Sequence, residues 1–347
     1  MSLPDPSPPR KHLRLGLWLP FAALGVLIVA WSAAWFWAKG EAGRRMDTAA
    51  AALGQAGYAV SWKDRTIGGY PFRMDITLTE ARARAPGGWA LEAPRLEGEA
   101  PMHALGSWLV AAPEGLTFVR PVGGPVLVKG DLVRASLTHF NQRPPSLSFE
   151  AVKATFTPGA GAEPFALAYA DRVEFHLRAG PNDEGGVFGK VDGGKARLSG
   201  LFARVAGGKP IAIVWNSTLS KMSAFSGANW PDAVRHWSDA GGLMTVRQAG
   251  ITAGDAVLGV NGGTLAAGRD GRLDGVLQVT LRQAPRALSA MSAEGVVDPG
   301  AAQSATTVAQ ARQGNGDVAQ ATLNFEAGRT TLGPVALGAA PKVYDPR

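Results

Sequence analysis

Hydrophobic and polar positions divide the chain into three regimes. From Leu15 to Ala38 the sequence LGLWLPFAALGVLIVAWSAAWFWA carries no charged residue. A helix needs about 20 apolar residues to cross a hydrocarbon core, so this run predicts a single transmembrane helix. Trp35, Phe36 and Trp37 close it, where amphipathic rings favour the headgroup level. From Glu41 to Ala56 the residues are helix formers, with Met46, Ala49, Ala50 and Leu53 at helical spacing and Gly57 as a natural stop. This predicts a short amphipathic linker helix over 41–56, serving as a spacer packed on the following domain or lying on a membrane surface.

The third regime has period two. Tyr58, Val60 and Trp62 alternate with small or polar residues, and Phe72, Met74, Ile76 and Leu78 alternate with Arg73, Asp75, Thr77 and Thr79. Such alternation marks antiparallel strands with one apolar and one polar face. Similar runs span 89–91, 126–128, 132–140, 147–156, 165–177, 196–205, 211–219, 243–251, 256–265, 276–281 and 321–325. Pro-Gly, Gly-Gly and Asn-Gly pairs separate them, and Asn261-Gly262-Gly263 reads as a turn signal. Helical stretches are few. Pro231 to Trp237 and Pro285 to Met291 each begin with Pro at a plausible first helical position, and Ala301 to Arg312 reads as a third helix or an ordered loop. The expected fold is therefore mainly β: an N-terminal transmembrane helix, then an elongated, curved antiparallel sheet over 57–347 with a few short helices. Two lobes with a bend near 229–241 would fit the helical interruption there.

Composition narrows the chemistry. The 347 residues include no Cys, which excludes a disulfide scaffold, thiolate zinc sites, iron–sulfur clusters and thiol catalysis. The formal charge is +7; Arg10, Lys11 and Arg14 less Asp5 account for two of these, so residues after the span carry +5. Lys39, Arg44 and Arg45 follow the span as closely as the first three precede it, so charge counting alone nearly ties. The cluster packed against the apolar run has the form of a signal-anchor flank, which favours a short cytoplasmic tail at 1–14 and an exported bulk. The competing reading of the first segment is a cleaved signal peptide, since Ala30-Trp31-Ser32 loosely fits a small-x-small site.

Motifs that carry catalysis are missing. His12, His103, His139, His176 and His236 each stand alone, outside any metal-binding spacing. Gly189 to Ala196 nearly matches a phosphate-binding loop, but Ala196 replaces the hydroxyl that would hold magnesium, so a Lys-containing turn is expected there. Gly314 to Ala319 fits G-x-G-x-x-A without a preceding strand or a following helix, and no G-x-S-x-G elbow occurs. Asp75, Glu80, Glu92, Glu97 and Glu99 fall on polar strand registers, as a solvated sheet face requires. Lys and Arg form no stripe interleaved with aromatics, which argues against nucleic acid as a partner.

One resemblance stands out. Val60-Ser61-Trp62, Ile67-Gly68-Gly69-Tyr70-Pro71-Phe72-Arg73-Met74, Trp89 to Pro94, Gly271 to Gly275 and Leu332 to Gly338 follow the anchor. Together they resemble an uncharacterised alphaproteobacterial envelope family, domain-of-unknown-function family 2125. That resemblance implies an exported domain behind an inner-membrane anchor, and it transfers no catalytic residue. More distantly, one anchor ahead of a long antiparallel sheet looks like AsmA-like envelope proteins, a fold-level analogy.

The expected function is non-enzymatic. A membrane-anchored periplasmic protein would shelter or pass lipid or another apolar ligand in a sheet groove, with Phe72, Met74, Ile76 and Leu78 as candidate apolar-ligand contacts. The lipid bilayer is the expected partner of residues 15–38; no catalytic, cofactor or metal residue is assigned. A scaffold binding an envelope protein through its sheet edge is the alternative, and a hydrolase with a carboxylate site is the remote one.

Overall fold

The computed structural model describes residues 15–142, 144–197, 201–227, 229–312 and 318–345. The expected cytoplasmic tail at 1–14, with His12, and most of the G-x-G-x-x-A match at 314–319 lie outside them. Helix α1 runs without a break over Leu15–Gln55, so the expected span and linker helix form one rod. It is long and apolar enough to cross a membrane. Gly40 and Gly43 do not break it; Gly in a helix costs only about 1 kcal/mol relative to Ala, a deficit that tertiary contacts overcome. The rod ends at Gly57, where a positive φ of 85° lets the amides of Gly57 and Tyr58 reach back to the carbonyls of Gly54 and Leu53.

Among the described residues eighteen strands follow, all paired antiparallel in one sheet. The first half comprises β1 (Ala59–Ser61), β2 (Asp64–Gly68), β3 (Arg73–Arg84), β4 (Ala90–Pro101), β5 (Ser107–Ala111), β6 (Leu116–Arg120), β7 (Gly124–Lys129), β8 (Leu132–Thr138) and β9 (Ser146–Pro158). Next come β10 (Leu167–Ala179), β11 (Gly185–Ala196), helix α2 (Leu201–Ala206), β12 (Ile211–Leu219), helix α3 (Trp230–Asp239), β13 (Met244–Ala253), β14 (Ala256–Ala267) and β15 (Leu273–Arg282). Helices α4 (Ala284–Ala293) and α5 (Pro299–Ala311) precede β16 (Val318–Glu326), β17 (Arg329–Leu332) and β18 (Val335–Ala339).

The sheet is a meander in which chain neighbours pair from β9 to β18. Its first half is subtler, because pairs of short strands share one rank. β1 and β2 lie end to end along β3; β5 and β6 lie end to end along β4; β8 and β7 do the same along β9. The breaks line up. Pro113 separates β5 from β6, because Pro has no amide to offer a ladder. Gly130 separates β7 from β8 at the same height. On either side, pairing skips Glu80 against Pro94, Lys153 against Asp171, and slips again at Gly193. Glu80 and Lys153 adopt φ of 47° and 48°, which interrupts the ladder locally while the register on either side is kept. This line of interruptions is a crease crossing β3 to β11, and small buried residues such as Ala81, Ala93, Ala112, Ala154 and Ala170 flank it.

Three expectations need correction. Residues 196–205 are not a strand: β11 ends at Ala196 and α2 occupies Leu201–Ala206. Gly189 to Ala196 is no turn but the second half of β11, held between β10 and β12. Asn261-Gly262-Gly263 lies inside β14 at a register shift, where the glycines accommodate a bulge rather than a turn. The helical interruption near 229–241 leaves the sheet intact, since β12 and β13 pair along the whole of β12 across it. α3 caps the strand ends instead, with Val234 and Trp237 packed on Ala267 and Tyr344.

The two halves of the concave face are covered differently. Over β13 to β16 helices α4 and α5 form a covering layer, with Ala302, Ala305 and Ala309 of α5 and Leu288 of α4 packed among Val246, Leu277, Val279 and Phe325, and a cavity of about 380 Å³ lined by Leu288, Met291, Val279 and Phe325 remains under α4. Over β3 to β10 the described residues form no such layer, and α1 stands beside the sheet from Trp31 to Leu53.

Candidate functional site

The uncovered half forms a groove between α1 and the sheet. Two chambers of about 790 and 730 Å³ share Met46, Ala49, Leu78, Leu96 and Val110, so they form one continuous concavity. Each volume lies within the roughly 300–1,000 Å³ usual for ligand pockets. The lower chamber is lined by Trp37 and Glu41 of α1 and by Met74, Trp108, Leu137 and Phe140. The upper chamber lies against the crease and is lined by Leu116, Phe118, Phe149, Phe156 and Val173. Leu78, Leu96, Leu116, Phe149 and Phe156 are half-buried: the last four pack on Ala112, Val133, Ala151 and Ala154, and all five leave part of their apolar surface lining the open groove. The far end is closed: Phe156 stacks on Phe165 with ring centres 5.1 Å apart, and both pack against Val205 and Ala206 of α2.

The groove's wall is α1, and its position follows from chain arithmetic. From Trp35 to Gln55 the helix rises about 30 Å. β1 and β2 return over Ala59 to Gly68, about 33 Å of extended chain. The β2–β3 turn therefore comes back to the level of Trp31 to Trp35, and polar contacts hold it there. Trp31 donates its indole N–H to the Pro71 carbonyl at 2.9 Å, and Trp35 donates to the Arg73 carbonyl at 3.0 Å. Ser32 already donates to Ile28, so the Tyr70 hydroxyl is the donor in its 2.8 Å contact with Ser32. Tyr70 also stacks on Phe36 and meets Trp35 edge-on. Higher up, Arg65 of β2 clamps the helix. Its guanidinium binds both carboxylate oxygens of Asp47, at 2.7 and 3.1 Å, and the Gly43 carbonyl. The bond from Arg65 holds the Asp47 carboxyl below the usual carboxylate range. At the mouth Glu41 accepts from Arg45 and Arg44, which lower its pKa in that order.

Of the candidate contacts, three line this groove. Met74 is 1% exposed on its floor, Ile76 lines the lower chamber, and Leu78 stands at the waist between the chambers. Phe72 does not join them. It belongs to the turn closed by the Arg73 amide on the Gly69 carbonyl, where strand alternation has not begun, and it is 78% exposed on the outer side of the rim. Sequence alternation alone missed the helix face Met46–Ala49–Leu53 as a groove wall and the aromatic end wall Phe156–Phe165, although both were read as apolar segments.

Charged side chains reach part of the groove, Glu41 and Arg45 in the lower chamber and Arg82, Glu92 and Arg134 in the upper, and a network of ion pairs lies on the strand face that carries Glu150. Glu150 binds Arg134 at 2.7 Å and also Arg172, which in turn meets Glu174 at 3.3 Å. The hydrogen bond from Arg134, with the charge of Arg172, lowers the Glu150 pKa. Of the five acids singled out in the sequence, Asp75 and Glu99 stand opposite each other and share Arg73, Glu97 pairs with Arg95 and Glu80 with Lys63, while Glu92 lies on the lining of the upper chamber. His176 lies on this face too, bonded to Ser148 at 2.9 Å. Among the described residues no three His, Asp or Glu side chains converge as a metal site would require.

Neither a curated protein nor a solved structure matches the chain. A family model does match, over residues 35–341, from the Trp35 joint through the last strand. The chain belongs to DUF2125, a family described as an uncharacterised protein conserved in bacteria.

Proposed function

We propose that this is a non-enzymatic envelope protein, held in the inner membrane by Leu15 to Ala38 with its sheet in the periplasm, whose groove shelters a lipid acyl chain or a similar apolar ligand. One observation carries the reading: a continuous apolar concavity walled by the same helix that forms the candidate membrane span. An acyl chain leaving a bilayer through water loses about 0.8 kcal/mol per methylene, or about 11 kcal/mol for fourteen. A groove that continues the apolar path along α1 removes most of that penalty. The closed end at Phe156, Phe165 and α2 favours holding a chain over passing it across the sheet. Ion pairing of Asp75, Glu80, Glu97, Glu99 and Glu150 with arginine or lysine supports the non-enzymatic part.

Native mass spectrometry of the full chain extracted in mild detergent tests this directly. Bound lipid is expected, and Leu78→Trp at the groove waist is expected to displace it while far-ultraviolet circular dichroism stays unchanged. Wild-type protein that is folded and free of lipid would refute the proposal.

A further inference from the structure

The groove's lower rim carries a second apolar feature, and it points away from the sheet. Phe72 in the β2–β3 turn, Leu105 in the β4–β5 loop and Phe140 after β8 are all exposed, Phe72 most of all. They form one tip, because the Met102 amide donates to the Phe72 carbonyl and Leu105 shares the lower chamber with Phe140. We infer that this tip is a membrane-docking surface, inserted among the acyl chains of the leaflet from which α1 emerges.

The hydrogen bonds to α1 set the depth. Trp31 and Ser32, which hold Pro71 and Tyr70, lie inside the charge-free run. If the hydrocarbon core takes only the first twenty residues, Leu15 to Ala34, these two lie about 3–5 Å inside it; if it takes the run to Ala38, about 9–10 Å. The turn is therefore fixed to a helix face that lipid must otherwise cover, and Phe72 projects from it. No Asp, Glu, Lys or Arg occurs from Ile67 to Phe72. The first charges are those of Arg73, at the level of Trp35, and its guanidinium turns to Asp75 at 3.0 Å and Glu99 at 3.7 Å. An apolar tip below a belt of Trp, Tyr and paired charges is the arrangement an interface imposes on a docked surface. His103 stands on the same loop as Leu105, at the rim.

Docking also gives the groove its entrance. Trp37 and Phe140 line the lower chamber beside the tip, so insertion opens that chamber to the acyl layer rather than to water. This consequence rests on the lipid-sheltering reading, whereas the docking surface itself does not.

The absence of native Cys makes the test clean. Phe72→Cys, labelled with an environment-sensitive nitrobenzoxadiazole dye in the full chain, is reconstituted in phosphatidylcholine vesicles. Val122→Cys in the turn between β6 and β7, at the opposite end of the strands, serves as the reference. The expected result is blue-shifted emission at position 72, quenched at least twofold by lipids with a nitroxide near the headgroup, and water-like, unquenched emission at 122. Water-like emission at both positions, with the fold intact by circular dichroism, overturns the docking surface. Native mass spectrometry separates the two ideas. An inserted label on protein without bound lipid removes the groove ligand alone, and an unquenched label on lipid-loaded protein removes the docking surface alone.

Discussion

Trp35 is the joint between anchor and sheet, and its removal should loosen the groove wall by a calculable amount. The side chain is 2% exposed, lies edge-on to Tyr70 and donates to the Arg73 carbonyl. Truncating a buried Trp to Ala costs about 3–5 kcal/mol, while Trp35→Phe keeps most of the ring and loses about 1 kcal/mol with the hydrogen bond. The helix beyond Lys39 continues only to Gln55, a length at which an isolated helix is marginal in water. Undocked, that overhang frays, so its amides report docking. At about 1.4 kcal/mol per factor of ten, hydrogen exchange of the amides from Arg44 to Gln55 should accelerate by roughly two to three and a half decades in Trp35→Ala and about fivefold in Trp35→Phe. Mass spectrometry of the reconstituted chain reads both. Arg65→Ala should add its own effect independently, since Asp47 sits about 18 Å up the helix from Trp35 and shares no partner with it. Unchanged protection in Trp35→Ala would mean that the overhang holds itself and that the groove wall does not depend on this joint.

Other consequences are simpler to check. Leu78→Trp should weaken binding of a fluorescent fatty-acid probe by about tenfold or more, read by titration, because Leu78 lines both chambers. Gly263→Ala should lower the melting temperature sharply: φ is 151° and a Cβ would meet the Val276 carbonyl oxygen at 2.1 Å, so a loss of about 2 kcal/mol or more is expected. Ala305→Leu should cost about 1–3 kcal/mol by overpacking α5 on the sheet, read by denaturant unfolding. Glu150 has its pKa lowered in the fold, so its pairing with Arg134 and Arg172 stabilises fully above the unfolded value of about 4.3 and is lost as pH falls through the folded value. Thermal melts from pH 6 downward should therefore drop less steeply below about pH 4 in Glu150→Gln than in wild type.

Where side chains alternate, the sequence was readable: Met74, Ile76 and Leu78 line the groove while Asp75 and Thr77 do not, α3 and α4 fall where Pro and helical spacing put them, and the segment left as helix or ordered loop at 301–312 is helical, within α5 from Pro299. Legibility failed where the signal was not local. β11, with the sequence GGVFGKVDGGKA, has too few apolar side chains to show alternation and is a strand because β10 and β12 both pair with it. Phe72 fits the parity of Met74, yet the turn at Gly69 to Arg73 interrupts that parity before the strand starts. The crease is harder still. Glu80, Pro94, Pro113, Gly130, Lys153 and Gly193 look like unrelated irregularities along the chain, and only strand pairing brings them to one height.

The contrast between the halves explains why the groove stays open instead of collapsing. α5 approaches its part of the sheet closely because it presents Ala302, Ala305 and Ala309, small side chains that let larger sheet residues fill the interface. α1 presents a comparable small face in Ala49 and Ala50, yet it does not settle on the floor. Its position is set at the rim. The indole bonds from Trp31 and Trp35 hold it at the β2–β3 turn, and Arg65 holds it along β2, which lies on the sheet's outermost rank. Moving α1 inward over β4 to β9 would break the bidentate Arg65–Asp47 contact and leave the Pro71 and Arg73 carbonyls without their donors. Those polar losses oppose a collapse that apolar burial alone would favour, so the cavity follows from where the helix is tethered and not from a shortage of side chains to fill it.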